Sequence, residues 1–267
     1  MRSRLLVLAA ILSLGPTATM ASGTGERSKR PAGASDMARL PAGTYRPLYV
    51  RGGESRRVLA FSLDRHAVTR AEFLAFVRHD PRWRRDRIAP TLAEPSYLAS
   101  WPASLDAGRV EELNRPVTGV SWFAADAYCA AQGKRLPTLD EWEYAAAASE
   151  TRRDGSADRE HRARLLAVYA ARPSTQFPAV MSGAANVYGV RGLHGSVWEW
   201  TRDAGPAATT DHDHAAHARS GAATGACASA ALGAGDPSDY PAFLRSAVRA
   251  GLTPRTTLGA LGFRCAA

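Results

Sequence analysis

Cysteine is scarce in this sequence. Only Cys129, Cys227 and Cys265 occur among its 267 residues, so at most one disulfide can form within the chain. A small scaffold held together by several bridges is therefore excluded.

Lysine is also scarce, because Lys29 and Lys134 are the only lysines among 34 basic residues. The formal charge of +9 is thus due almost entirely to arginine. The densest basic cluster, RWRRDR at 82–87, has no RNA- or DNA-binding motif beside it. We interpret this cluster as a solvated face and expect no nucleic acid partner.

Long apolar runs are absent beyond residue 14, and a bilayer-spanning helix would need roughly 20 apolar residues. The chain starts with basic residues, continues with an apolar run from Leu5 to Leu14, and then has small residues that end at Ala21. This order is typical of a secretory signal peptide rather than a membrane anchor. We predict a signal peptide at 1–21, cleavage after Ala21, and a periplasmic or secreted protein without a membrane span. In an oxidising compartment two of the three cysteines are expected to pair.

The rest of the chain predicts one large domain. Residues 22–37 are poor in large apolar side chains and predict a disordered lead-in. Residues 38–267 are enough for a single domain with a substantial core.

Short strand-like and helix-like segments alternate along this domain, separated by long stretches without periodicity. Residues 42–50 and 57–68 have the pattern of strands. Thr69 and Glu72 have the spacing of a capping box, in which each side chain satisfies a free backbone N–H of the other residue. We therefore predict a helix from about 69 to 79.

Two more helices are predicted between residues 121 and 148. Ser121 is a suitable N-cap for the first, and Gly133 is a suitable end for it. Thr138 and Glu141 form a second capping box, which begins the next helix. Cys129 falls on the inward face of the first helix, where a cysteine is either a small apolar core residue or a disulfide partner.

Glu199 lies between two tryptophans, Trp198 and Trp200. A carboxylate among large aromatic side chains is costly unless it is paired or binds a cation. An arginine is one candidate partner. A calcium ion is the other, because Gly192 and Gly195 would allow backbone carbonyls to turn towards it.

A histidine cluster precedes the second cysteine. His212, His214 and His217 stand a few residues before Cys227. Imidazole and thiolate are ligands for copper or zinc, so this segment is a speculative copper site. The alternative interpretation is a polar surface loop that binds nothing specifically.

Five motifs, taken in order, resemble the formylglycine-generating enzyme family, also called the sulfatase-modifying factor family. They are VTRAEF, PVTGVSW, GKRLPTLDEWEYAA, GLHGSVWEW and GALGFRCA, and they extend from about Leu40 to Ala267. The resemblance implies an α+β fold, an elaborated C-type-lectin-like domain that is low in regular secondary structure.

The resemblance also implies which cysteines pair. Secreted family members join the cysteine before GKRLPT to the cysteine of the final GFRC, which here are Cys129 and Cys265. A second family disulfide has its counterparts at Ala146 and Ser246, so this chain lacks both of its halves.

A calcium site is a further implication of the resemblance. Glu199 would supply the carboxylate, and the carbonyls of Gly192, Gly195 and Val197 would complete the ligand set. Relatives usually have Asn or Asp at position 192, so a side-chain ligand is missing here.

The reactive cysteine pair of the family, which binds copper and oxidises a substrate cysteine, is replaced in this sequence. Counting back from Arg245–Arg249 without gaps places Asp236 and Pro241 at its two positions. Formylglycine-generating activity is therefore not expected. Cys227 and Trp198 remain as candidate catalytic residues.

Three functions stay open at this point. The segment around Cys227 resembles a family branch encoded beside copper nitrite reductase, which implies a periplasmic accessory or maturation protein for that enzyme or another exported client. The second possible function is an oxidoreductase with altered chemistry, like the relatives in siderophore maturation. A binding module on a lectin-like scaffold is the third.

Overall fold

The computed structural model describes residues 37–46, 55–171, 176–205 and 240–267. The predicted signal peptide, most of the lead-in and the whole histidine and Cys227 segment lie outside these ranges. The described residues belong to one compact unit, Gly33–Ala267.

Within the described ranges, the β structure consists of three small sheets of two strands each. Strands β1 (Met37–Leu40) and β4 (Phe61–Asp64) pair antiparallel, β2 (Gly43–Tyr45) and β3 (Arg56–Val58) pair antiparallel, and β5 (Trp198–Glu199) and β6 (Leu261–Gly262) pair parallel. Met37 falls within the predicted lead-in, but it begins β1 because it pairs with Asp64. The period-2 alternation of β4 buries Phe61 and Leu63.

In the part of the chain that the structure describes, five α-helices connect and cover these sheets. They are α1 (Arg70–His79), α2 (Trp122–Ala131), α3 (Leu139–Ala146), α4 (Arg159–Ala170) and α5 (Tyr240–Ala250). Short 3₁₀ turns occur at Pro81–Trp83, Val110–Glu112 and Arg202–Ala204. The rest of the described chain is loops and turns, as expected for a fold with little regular structure. Within the described ranges, no helix has both the length and the apolar character to cross a bilayer.

The helix boundaries follow from the capping residues in the sequence. Thr69 accepts a hydrogen bond from the Glu72 N–H, and the Glu72 carboxylate accepts one from the Thr69 N–H, so α1 begins where the capping box predicts. Thr138 begins α3 in the same way. Gly133 has a φ of +67°, the left-handed conformation that ends α2.

Among the described residues, two buried apolar clusters form the core. The larger one packs α1 and α2 against the loops before α2 and against the C-terminal segment, with Phe73, Tyr128 and Phe263 in mutual ring contact. The smaller cluster packs α3 against the first four strands, with Leu63 and Trp142 buried between them.

A disulfide fixes the C-terminal segment to α2. Cys129 and Cys265 are bonded, with their Cα atoms 5.6 Å apart, and both are fully buried. This is the pair that the resemblance implies. The last residues then continue as backbone partners of β4, because Ala267 and Ser62 exchange both of their hydrogen bonds.

Candidate functional site

Glu199 forms a buried ion pair with Arg264. The Arg264 Nε donates to Oε2 at 2.7 Å and Nη2 donates to Oε1 at 2.8 Å, and both side chains are inaccessible to solvent. Trp142 Nε1 also donates to Oε2 at 2.7 Å. This bidentate arrangement balances the carboxylate charge and satisfies both of its oxygens. Of the two partners considered from the sequence, the structure shows arginine.

Arg264 uses its remaining donors on the backbone. Nη1 donates to the Asp64 carbonyl at 3.2 Å, and Nη2 also donates to the Arg191 carbonyl at 2.9 Å. The neighbouring Cys265 N–H donates to the Asp64 carboxylate at 2.9 Å. One guanidinium therefore holds together β4, β5 and the loop that precedes β5.

The expected calcium ion stays a prediction. Gly192 and Gly195 have φ values of +66° and +74°, and Val197 is buried beside Glu199 in the chain. Arg264 contacts both oxygens of Glu199, the only carboxylate of the expected ligand set, so a calcium ion would have to share this carboxylate with Arg264. Across the described ranges, no group of three or more His, Cys, Asp and Glu side chains could hold a metal ion.

A second ion-pair network lies where α3 meets α5. Arg245 donates to both oxygens of Glu143, from Nε at 3.0 Å and from Nη2 at 2.7 Å. Arg249 Nη1 donates to the same carboxylate at 2.6 Å. Burial alone would raise the pKa of the Glu143 carboxyl, but the charges and hydrogen bonds of the two arginines outweigh burial and lower the pKa to about 2. Glu143 is therefore ionised throughout the physiological pH range.

Tyr169 and His194 extend this network. Arg245 Nη1 lies 3.2 Å from the Tyr169 hydroxyl, which lies 3.1 Å from His194 Nδ1. His194 Nε2 lies 2.8 Å from the Ala146 carbonyl, so Nε2 carries the proton and Nδ1 accepts from the tyrosine. Burial, followed by the charge of Arg245, lowers the pKa of the His194 imidazole to about 4. The imidazole is neutral at physiological pH.

Aromatic rings enclose these polar groups. The Arg249 guanidinium lies 4.8 Å from the centre of the Trp142 ring, while Trp142 Nε1 contacts Glu199. Trp198, the candidate catalytic aromatic residue, is partly buried, and its ring centre is 6.1 Å from that of Tyr169. Trp198 therefore lies at the margin of the second network.

The structure places only some of the predicted site residues. Glu199 is the carboxylate of the buried pair with Arg264, and Trp198 lies at the margin of the second network. Pro241, at one position of the family's cysteine pair, is buried in the first turn of α5. Outside the described residues lie Cys227, His212, His214, His217 and Asp236.

Five residues of the second network were not predicted from the sequence as site residues. They are Glu143, Tyr169, His194, Arg245 and Arg249. Glu143 carries a signal that would have identified it, because it lies between Trp142 and Tyr144 as Glu199 lies between two tryptophans. Tyr169 and His194 carry no such signal.

Glu199→Gln is expected to lower the free energy of unfolding by about 3–5 kcal/mol, because it leaves the buried Arg264 charge without its partner. Urea unfolding measures the loss, and it should be equal with and without a calcium chelator. Glu160→Gln is the matched control, since its exposed pair with Arg164 contributes about 0.5 kcal/mol. Equal, small losses in both variants would contradict the importance of the buried pair. A chelator effect in the wild type that disappears in Glu199→Gln would reveal the expected calcium ion.

His194 is expected to make stability depend on pH between about 6.5 and 4. The unfolded chain binds a proton at this residue near the ordinary histidine pKa of 6.5, whereas the folded protein does so only near about 4. The unfolded state therefore binds more protons in this window, and stability falls as the pH falls through it, by at most about 3 kcal/mol.

Urea unfolding at several pH values would measure this dependence. His194→Gln should flatten it, because the variant has no imidazole to protonate. His79→Gln, at the exposed end of α1, should leave it unchanged. If His194→Gln retains the wild-type slope, another group causes it.

Comparison with curated proteins finds several similar sequences. The chain is 34% identical over 193 residues to an inactive C-alpha-formylglycine-generating enzyme 2 of Bos taurus, which covers 64% of this chain and 57% of that protein. It is 28% identical over 234 residues to the formylglycine-generating enzyme of Bos taurus, covering 65% of this chain and 59% of that protein. It is 35% identical over 161 residues to a hercynine oxygenase of Mycolicibacterium smegmatis, covering 53% and 37%. The chain thus spans less than two thirds of the length of these relatives.

Among solved structures, PvdO from Pseudomonas aeruginosa superimposes with a TM-score of 0.45 at 19% identity, covering 86% of this chain and 93% of that chain. The family description "Sulfatase-modifying factor enzyme 1-like domain" matches residues 23–267. The mixture of helices and small sheets agrees with the α+β fold of that family. The chain is therefore a member of the formylglycine-generating enzyme (sulfatase-modifying factor) family.

Proposed function

We propose that this protein is a periplasmic accessory or maturation protein that acts on an exported client and does not form formylglycine. The observation that carries this proposal is the number of free thiols. The chain has three cysteines, and Cys129 and Cys265 are bonded to each other. Only Cys227 remains, whereas the family reaction, as the sequence resemblance implies, needs two thiolates.

The residues beside α5 also support binding rather than thiol chemistry. Pro241 has no ionisable group, and the described side chains around Arg245 are charged, phenolic or aromatic. Side chains of these types are suited to recognising a ligand by charge and shape, which supports the proposed binding role. Similarity to a mammalian protein whose name describes it as inactive agrees with this proposal.

The proposed location is the periplasm. The leader at 1–21 has the order of a secretory signal peptide. A buried disulfide is typical of proteins that fold in an oxidising compartment. The proposed client is therefore an exported enzyme, and copper nitrite reductase is the specific candidate.

An oxidoreductase with altered chemistry is the second candidate function. Similarity to a hercynine oxygenase favours it, since that relative is named for an oxidation. In this chain the proposed metal would be copper, and its ligands would come from His212, His214, His217 and Cys227. Copper analysis of the exported protein, before and after Cys227 is blocked, would test this assignment.

The protein is expected not to convert a peptide cysteine to formylglycine. Purified protein would be incubated with copper, oxygen and a peptide that carries the sulfatase motif, and mass spectrometry should find the peptide cysteine unchanged. An active formylglycine-generating enzyme serves as the positive control. If aldehyde appears and is lost in Cys227→Ser, Cys227 belongs to an active site and the accessory function is wrong.

Co-expression is expected to improve the maturation of a periplasmic copper nitrite reductase. The measured quantities are copper per nitrite reductase subunit and nitrite reduction in periplasmic extracts, with and without this protein. A variant without residues 1–21 is the control, since it should remain in the cytoplasm and give no improvement. Equal copper content in all three strains would exclude this client.

A further inference from the structure

The second ion-pair network has more positive than negative charge. Among the described residues, Glu143 is the only carboxylate that contacts Arg245 or Arg249. His194 is neutral, and burial raises the pKa of the Tyr169 hydroxyl, so this group is neutral as well. Two cations and one anion leave one positive charge, which the C-terminal dipole of α5 offsets only in part. A largely buried charge without a full counter-charge is costly unless an anion reaches it.

The two arginines differ in how many of their donors are used. Arg245 contacts Glu143 through Nε and Nη2 and Tyr169 through Nη1, and its side chain is only 7% exposed. Arg249 contacts Glu143 through Nη1 alone, and its side chain is 18% exposed. Its Nε and Nη2 groups make no hydrogen bond to any residue that the structure describes. The donors left for a ligand are therefore those of Arg249.

The Arg249 guanidinium is also held in place before any ligand binds. It stacks over the Trp142 ring at 4.8 Å, and one edge is fixed by Glu143 at 2.6 Å. Trp142 is itself fixed by its hydrogen bond to Glu199. An arginine that is already ordered loses little side-chain entropy on binding, which favours affinity.

The geometry of the open donors selects the ligand. A planar guanidinium presents two parallel N–H groups that match the two oxygens of a carboxylate. The network has about one unbalanced positive charge, which one carboxylate neutralises, whereas a dianionic phosphate would leave excess negative charge beside Glu143. A carboxylate is therefore the favoured class of ligand.

We propose that Arg249, stacked on Trp142, is a carboxylate-binding site that recognises an acidic side chain or the C-terminal carboxylate of the client. The proposal rests on the proposed function, because it assigns the ligand to an exported protein. Pro241, Arg245 and Arg249 follow one another at i, i+4 and i+8, so they lie along one face of α5. Eight residues at 1.5 Å each place Arg249 about 12 Å along the helix from Pro241. Arg249 is the partly exposed member of this face, with 18% of its side chain accessible, so a client carboxylate would meet the face at Arg249.

Three N-acetylated peptides would test the site on the mature protein at constant ionic strength. Acetyl-Gly-Gly-Glu-Gly-Gly-amide presents a side-chain carboxylate, acetyl-pentaglycine with a free C-terminus presents a main-chain carboxylate, and acetyl-Gly-Gly-Gln-Gly-Gly-amide presents none. NMR titration would follow the Arg249 Nε–H and the Trp142 indole N–H, assigned from the spectra of the variants. We expect saturable shifts with one or both carboxylate peptides and none with the glutamine peptide. Which carboxylate peptide binds more tightly identifies the source of the ligand.

Two variants of Arg249 provide the controls within the site. Arg249→Lys keeps the charge opposite Glu143 but loses the planar pair of donors, and it should weaken binding by at least about tenfold. Arg249→Gln should abolish binding. Arg82→Gln removes a charge from an exposed pair with Asp80 and should bind like the wild type.

The wild-type titration alone decides the outcome if Arg249→Gln does not fold. Absence of a saturable shift with both carboxylate peptides would overturn the proposal, and so would equal affinities in the wild type and Arg249→Lys. Peptide binding without any effect on nitrite reductase maturation would leave the site in place and reject only that client. Formylglycine formation would reject the proposed function, and absence of peptide binding would independently reject the carboxylate site.

Discussion

The described structure depends on one buried ion pair. Arg264 and Glu199 are both inaccessible to solvent, and their bidentate contact makes the pair itself electrically neutral. The same guanidinium holds the Asp64 and Arg191 carbonyls, which belong to segments that contain little regular structure. In a fold whose described strands are only two to four residues long, ladder hydrogen bonds alone cannot fix these segments. A side chain that reaches several backbones at once replaces the missing ladders.

Trp142 joins this ion pair to the second network. Its indole N–H donates to Glu199, while its ring face receives the Arg249 guanidinium, so one side chain contacts both networks. Glu143, the next residue of α3, then binds the two arginines of α5. The link between α3 and α5 is therefore electrostatic. At Ala146 and Ser246, where the family resemblance implies a disulfide between these helices, this chain has no covalent bond.

Local signals and distant contacts differed in how well the sequence predicted them. The capping boxes at Thr69 and Thr138 predicted the starts of α1 and α3, because a cap depends on residues only three positions apart. Burial among tryptophans showed that Glu199 needs a partner, but the pattern did not select Arg264, which is 65 residues away and one of many arginines. The pairing of Cys129 with Cys265 came from family resemblance, not from spacing. A chain of hydrogen bonds joins Arg245, Tyr169 and His194, which belong to α5, α4 and a loop. No local sequence pattern predicts a contact among such distant segments.

The disulfide and the ion pair act on adjacent residues. Cys265 follows Arg264 directly, and its bond to Cys129 anchors the C-terminal segment to α2. Because this bond removes conformational freedom from the unfolded chain, it lowers the entropic cost of placing Arg264 in the core. Correct placement of Arg264 orients Glu199, and Glu199 in turn orients Trp142. The orientation of Trp142 sets the ring face on which the Arg249 guanidinium lies. The chain is proposed to be exported to an oxidising compartment. Formation of the Cys129–Cys265 disulfide there favours the same arrangement that presents Arg249 to a ligand. Cys129 and Cys265 therefore contribute to the candidate site through structure, by fixing the segment that contains Arg264.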